Sequence, residues 1–285
     1  MRAFEAAGRL SSIRRAAAEL HVTPAAISRQ VKVLEAYLGI QLFSRGNRAV
    51  TLTPAGQQYL SEISTHVAAI RRATGKLIEA RGRRVLHIRA YTTFAMRWLI
   101  PRLSSFHSSH PEVEVSLTTS LDWVDFDREH VDAAMRLGTG DWAGVHADRL
   151  VANELVPVCS PALVASAAMP LKPDYLRKQV LLHSLARPDD WANWLHAAKV
   201  IDLDCYSGLK YESSVLAYQA AIEGHGFAIA QRVLVDSDLQ SDRLVAPFDL
   251  TLDMGRNTYY LVFPTSRLPS PELTLFRHWL NSQTE

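Results

Sequence analysis

Residues 12–39 read SIRRAAAELHVTPAAISRQVKVLEAYLG, and two short helical patterns meet there across a tight turn. In the first, Ile13, Ala16, Ala17 and Leu20 recur at helical spacing, and the two alanines let a second helix cross closely. That helix is expected to end near His21. Thr23 is then placed to cap the next helix, with Pro24 at its first position, where a missing N–H costs nothing. Ile27, Val31, Leu34 and Leu38 form an inward stripe, which leaves Ala25, Ser28, Arg29 and Lys32 facing outward. Small residues, a hydroxyl and two cations on one helical face suit a DNA major groove, Arg and Lys reaching guanine edges or phosphates and Ser either. A solvated amphipathic helix pair in an ordinary α-helical domain shows the same spacing, so the flanking sequence has to separate the two.

Downstream, residues 41–53 read QLFSRGNRAVTLT, two alternating runs around a Gly-Asn turn. This pattern predicts a β-hairpin with Arg45 and Arg48 near its tip, a wing able to straddle a phosphate backbone. Thr53-Pro54 repeats the cap-plus-proline signal and opens a long helix to about Ala80. On it Leu60, Ile63, Val67, Ile70, Thr74 and Leu77 are spaced 3, 4, 3, 4 and 3 residues apart, a heptad seam weakened by Thr74. A seam of this kind beside a winged reader pairs with a second copy, and two-fold symmetry calls for a pseudo-palindromic site. Arg14, Thr23, Pro24, Ala25, Ser28, Arg29, Lys32, Arg45 and Arg48 make up the expected DNA-facing set.

Charge is distributed to match. The 285 residues carry a net charge of only +2, yet residues 1–84 hold 14 Lys and Arg against five Asp and Glu, a net of +9. The remainder is −7. A polyanion is thereby directed to one end, and the other is left for a different partner. No early run has the form of a signal peptide and no apolar stretch reaches membrane-spanning length, so a cytoplasmic protein without a membrane partner is expected. Cys159 and Cys205 stand alone, outside any C-x-x-C pair, and are expected to be ordinary thiols.

After the polar break Arg81-Gly82-Arg83-Arg84 the pattern changes to strands alternating with helices. Strands are expected at residues 85–91, 113–117, 131–136 and 155–159, with helices near 98–106, 161–168, 191–198 and 214–223. Such alternation predicts a parallel α/β sheet with a ligand at the carboxyl ends of its strands. Thr92 and Thr93 at one strand end, and Ser213 and Ser214 before a helix, would present hydroxyls and free N–H groups to a carboxylate or phosphate. Threonine and serine also cap helices for stability alone. Arg136, Thr139 and Trp142 in the Arg-Leu-Gly-Thr-Gly-Asp-Trp loop would add a cation, a hydroxyl and an apolar wall, with His225 and Phe227 as weaker candidates. Arg136 serves equally well as a structural ion-pair partner. No catalytic constellation is visible: there is no G-x-S-x-G, P-loop, H-E-x-x-H or complete G-x-G-x-x-G, and His107 and His110 read as a solvated helix end rather than a metal site. Neither cofactor, metal nor enzymatic activity is expected.

The residues also carry a resemblance. Ala16-Ala17, Ser28, Gln30, Leu34-Glu35, Leu38-Gly39, Leu42-Phe43, Arg45, Leu52-Thr53 and Ala55-Gly56 stand in the register of the LysR-type family of bacterial transcriptional regulators. Trp98-Leu99-Ile100-Pro101-Arg102-Leu103, Arg136-Leu137-Gly138, Pro157-Val158-Cys159-Ser160-Pro161 and Trp191-Ala192-Asn193-Trp194-Leu195 are similar to the subgroup containing glycine-cleavage and β-lactamase regulators. The resemblance implies a winged helix-turn-helix over 1–53, a dimerisation linker helix over 54–80 and an effector-binding α/β domain over 85–285. That domain would consist of two Rossmann-like subdomains resembling periplasmic binding proteins, about 85–156 with 260–285 and about 157–259. The chain would cross between them near Pro157 and Tyr259. The implied partners are double-stranded DNA, a small and anionic effector, further copies in a dimer or tetramer, and RNA polymerase. Two features depart from the family pattern. About ten residues usually precede the segment that starts here at Met1-Arg2-Ala3-Phe4, so the first helix is expected to fray. Pro24 stands where the family often places a base-reading Gln, which shifts the reading onto Ser28 and Arg29. A sequence-indifferent architectural DNA-binding protein, or a small-molecule-binding α/β protein with no regulatory coupling, also fits the residues.

Overall fold

A computed structural model describes residues 1–44, 51–79 and 84–283. It separates into two compact units, Met1–Gly82 with Asp125–His130, and Arg83–Val124 with Val131–Glu285. In the first unit α1 (Arg2–Leu10), α2 (Ile13–Glu19) and α3 (Pro24–Leu38) close around Phe4, Ala16, Ala17, Ile27 and Leu42, all at most 3% exposed. The alanine pair therefore sits at the crossing that its small side chains allow. The expected Thr23 cap forms, its hydroxyl accepting from the Ala26 N–H at 3.2 Å, and the structure adds a cap on α2, where the Ser12 hydroxyl accepts from the Arg15 N–H at 3.2 Å. The expectation that the first helix frays is not met, because Ala3, Phe4, Ala6 and Ala7 are all buried in this core.

The base of the wing is present as an antiparallel bridge between Phe43 and Leu52. Its tip, with Arg45 and Arg48, lies outside the described residues. Buried Glu35 fixes the base, its carboxylate accepting from the Leu42 N–H at 2.8 Å and the Phe43 N–H at 3.1 Å. Thr53 donates its hydroxyl to the Gln41 carbonyl at 2.8 Å and accepts from the Gly56 N–H at 3.0 Å, joining wing to helix α4 (Pro54–Glu79). At Gly56 a Cβ would meet the Leu42 carbonyl oxygen at 2.1 Å, so no other residue permits this approach. The heptad seam needs a correction. Leu60 and Ile63 pack against the core of their own unit, and Ile70, 64% exposed, and Thr74 are the exposed seam positions among those whose side chains are described.

The second unit holds two five-stranded sheets. One contains β1 (Arg84–Ala90), β2 (Val113–Thr119), β3 (Ala133–Gly138), β4 (Val145–Val151) and β10 (Thr258–Pro264), in the order β2-β1-β3-β10-β4. The other contains β5 (Glu154–Val158), β6 (Leu181–Ser184), β7 (Leu209–Tyr211), β8 (Phe227–Gln231) and β9 (Leu252–Asp253), in the order β7-β6-β8-β5-β9. Both are mixed rather than parallel. The strands joined by helical crossovers run parallel, whereas β10 and β5, which enter after the chain has changed sheets, pair antiparallel with their neighbours. The first change of sheet falls at residues 152–153, earlier than the expected Pro157, and the return falls at residues 254–257. The helix after β1 begins as α5 (Thr92–Phe94), widens into a π turn at Ala95–Leu99 and continues as α6 (Ile100–Ser109). Helices α7 (Asp190–Ala197), α8 (Ser214–Ile222), α9 (Arg232–Gln240) and α10 (Pro271–Ser282) complete the layers. The helix expected over 161–168 is only a 3₁₀ turn at Pro161–Val164. Among the described residues no helix is long and apolar enough to cross a membrane.

Candidate functional site

On α3 the residues Ala25, Ser28, Arg29, Lys32 and Ala36 line one shallow groove, so four of the expected DNA-facing side chains share a face. Ala25, Arg29 and Lys32 are exposed, as are Thr23 and Pro24 at the helix start and Arg14 on α2. Ser28 is half-buried, and its hydroxyl donates to the Pro24 carbonyl at 3.1 Å. Its proton is thus engaged by the helix itself, which leaves acceptor lone pairs for a base edge. Gln30, which carries the family register but is absent from the expected DNA-facing set, is exposed one residue beyond Arg29, and its amide matches the two-sided pattern of adenine in the major groove.

In the second unit the two sheets face each other across a cavity of about 620 Å³. One wall is made by Tyr91, Thr92 and Thr93 leaving β1 and by Thr119 to Asp122 leaving β2. The opposite wall is made by Ala186 and Arg187 after β6 and by Glu212, Ser213 and Ser214 opening α8, with Tyr259 from β10 between them. The groups that follow β1, β2 and β6 and those that open α8 stand beyond strand carboxyl ends, as the rule for α/β sheets requires, whereas Tyr259 lies at the start of β10. Thr93 crosses the cavity: its hydroxyl oxygen accepts from the Val215 N–H at 3.1 Å, so a residue of one sheet caps the helix of the other. Thr92, Ser213 and Ser214 line the same cavity around the start of α8, where the Val215 N–H is taken by Thr93 and the Leu216 and Ala217 N–H groups by the Ser213 carbonyl.

Four other expected residues lie elsewhere. Thr139 is exposed and away from the wall. Trp142 packs outside it, tilted against Trp123 and edge-on to Tyr260, with ring centroids 5.6 Å from both. Phe227 is fully buried in the second sheet's core near Phe248, and His225 is exposed in the turn ending α8. Phe227 is spent on that core, and His225 lies in the turn before β8, so neither lines the cavity.

Arg136 is buried but bonds carbonyls, Nη1 to Asp122 at 2.5 Å and Nη2 to Leu121 at 3.1 Å, with its guanidinium 4.9 Å from the Tyr91 ring and 5.1 Å from the Trp123 ring. Burial pulls its pKa down. It shapes the wall by holding the Leu121–Asp122 loop and is not itself in the lining.

The residues that sequence reasoning passed over are Arg187, Tyr259 and the crossing network. Buried Asn153 donates to the Asn257 carbonyl at 2.7 Å and accepts from Gln231 Nε2 at 2.9 Å. Gln231 Oε1 accepts from the Tyr259 hydroxyl at 2.8 Å, while the Gln231 N–H donates to the Tyr218 hydroxyl at 3.1 Å. Both crossings between the sheets are thus tied together beside the cavity. Burial pushes the Tyr218 and Tyr259 phenols up, so both remain neutral, Tyr218 accepting and Tyr259 donating. A further link between the two sheets' layers is the ion pair of Arg97 with fully buried Asp238, at 2.7 Å. No local signal marked Arg187: it lies three residues beyond the end of β6, a strand that the expectations above do not include.

Known proteins with similar sequences and folds bear on both surfaces. Residues 1–57 match the bacterial regulatory helix-turn-helix protein model of the lysR family, and residues 79–285 match the LysR substrate binding domain. The chain is 38% identical over 281 residues to the glycine cleavage system transcriptional activator of Escherichia coli strain K12, covering 98% of this chain and 91% of that protein. It is 36% identical over 284 residues to the transcriptional activator AmpR of Rhodobacter capsulatus, covering 100% of this chain and 96% of that one. The effector domain of AmpR from Pseudomonas aeruginosa superposes with a TM-score of 0.60 at 32% identity, covering 70% of this chain and 94% of that domain.

Proposed function

The chain belongs to the LysR family of DNA-binding transcriptional regulators, and from that premise we propose that a small molecule in the cavity between the two sheets controls how paired copies engage a pseudo-palindromic promoter site. The observation that carries this reading is the hydrogen bond from the Val215 N–H to Thr93, which joins the two cavity walls inside a ring of hydroxyls. A ligand bonded there touches both sheets at once, so it stabilises the arrangement in which the walls stand at the correct distance. Control is then a population shift, set by the difference in affinity between arrangements. Thr92, Thr93, Ser213 and Ser214 are the proposed effector-binding hydroxyls, and an anionic group on the ligand suits the positive end of the α8 dipole.

At the other end, Arg29, with acceptor support from Ser28, is the proposed base reader. Lys32, Arg14 and the N-terminus of α3 hold phosphate, and Arg45 and Arg48 of the wing are assigned to the same backbone. Copies pair through α4, with exposed Ile70 in the seam, to give a dimer or tetramer. Relatives named transcriptional activators support RNA polymerase as a further partner at the promoter.

The test is fluorescence anisotropy of the purified chain on a duplex from the region upstream of its own gene, against a scrambled duplex at equal salt. A preference of about a hundredfold or more is expected of a specific reader. Equal affinity rejects sequence-specific control from that region and favours the architectural reading, in which phosphate contacts supply the binding.

A further inference from the structure

Arg187 stands in the cavity wall with only 9% of its side chain exposed. Nε and Nη2 both donate to the Asp190 carboxylate, the latter at 2.8 Å, and Nη1 makes no hydrogen bond among the described residues. Burial opposes its charge, but Asp190, with Tyr259 adding to it, more than restores it, and the pKa is raised. Asp190 is itself buried, at 7% exposure. A pair serving stability alone has no need of a wall position. Buried ion pairs do no better than apolar pairs of the same volume, and the Nη1 edge that Asp190 does not engage is left to the cavity.

The other charges in the wall are Asp122 and Glu212, both exposed and without an ion-pair partner among the described residues. The rim is therefore acidic, and among the described wall residues the one cation is set inside it. An anionic ligand group is repelled at the rim and received by the Nη1 side of Arg187, while Asp190 holds the guanidinium fork in place.

We propose that Arg187 is the residue that reads a carboxylate on the effector, with Asp190 as its positioning partner, and that the ligand's outer end is neutral or cationic. This rests on the reading of the cavity as the effector site. It adds a charge reader to the hydroxyls of Thr93 and Ser214.

The test is thermal unfolding of the full chain titrated with N-acetylglycine and, separately, with N-acetylglycinamide, which differs only in lacking the carboxylate. The proteins are the parent chain, Arg187→Lys, the paired replacement Arg187→Met with Asp190→Leu, which avoids stranding a buried carboxylate, and Thr93→Val. We expect a saturable rise in melting temperature with the acid and none with the amide, at least tenfold weaker in apparent affinity for Arg187→Lys and absent in the paired replacement. Equal responses to acid and amide, or no response of the parent chain to the acid, overturn the carboxylate assignment. An acid response kept in both Arg187 variants but lost in Thr93→Val removes Arg187 while leaving the cavity as the ligand site. An acid response unchanged in all three variants removes the cavity as well.

Discussion

Thr93 performs two tasks with one hydroxyl, since its oxygen accepts the α8 N–H of Val215 while its proton remains available to the cavity. Thr93→Val keeps the shape and removes both, so it should lower stability by about 1 kcal/mol and abolish the ligand response with DNA affinity unchanged; melting curves and anisotropy on one preparation check this. Arg29→Ala separates base readout from phosphate contact on α3. A loss of roughly 1–3 kcal/mol at the preferred site with relaxed discrimination assigns it to a base, and uniform weakening on all duplexes assigns it to phosphate. For the thiols the prediction comes from burial, which pushes Cys159 up to about 12, whereas Cys205 is only half-buried. Native protein should therefore react with a single equivalent of Ellman's reagent near pH 8, at Cys205, and labelling of Cys159 before unfolding would contradict the buried position.

Single elements inherit their placement from a few such residues. Glu35 holds the wing base through the Leu42 and Phe43 N–H groups, so Glu35→Ala strands two donors and should cost about 2–3 kcal/mol in a denaturant titration of the first unit's transition. On α4, Ile70→Lys should give monomers in sedimentation while the fold is kept, because Ile70 is exposed; Ile63→Lys would damage the unit's own core and is the poorer test. Elements were legible wherever a local signal fixed them. The alanine pair, the Thr23-Pro24 start and the alternation of residues 113–119 are set by neighbours within a turn or a strand. The mixed sheets were not legible, since the direction of β10 depends on its partners β3 and β4, more than a hundred residues away. The helix expected after Pro161 stopped after one turn because its apolar residues serve the second core from an irregular segment. In the cavity, the threonine and serine pairs were readable as helix starts. Arg187 was not, because its meaning comes from Asp190 and from a wall built by distant strands.

At the scale of the whole chain, the crossing network is where ligand and arrangement meet. Asn153 bonds one crossing to the other and leads through Gln231 to Tyr259 in the cavity. Asn153→Leu should therefore weaken the effect of ligand on DNA affinity more than ligand binding itself, a split that calorimetry and anisotropy resolve. The excess of positive charge in residues 1–84 and of negative charge in the remainder directs DNA to one end, and small-molecule control to the other. The account stands or falls on sequence-specific reading by a two-fold assembly, which is measured most directly by selecting bound duplexes from a fully randomised pool at fixed salt. It predicts enrichment of an inverted repeat whose half-site centres lie about one helical turn, or a multiple of it, apart, bound about a hundredfold or more tighter than the starting pool. A selected pool that stays random, with affinity equal to the starting pool, would contradict it.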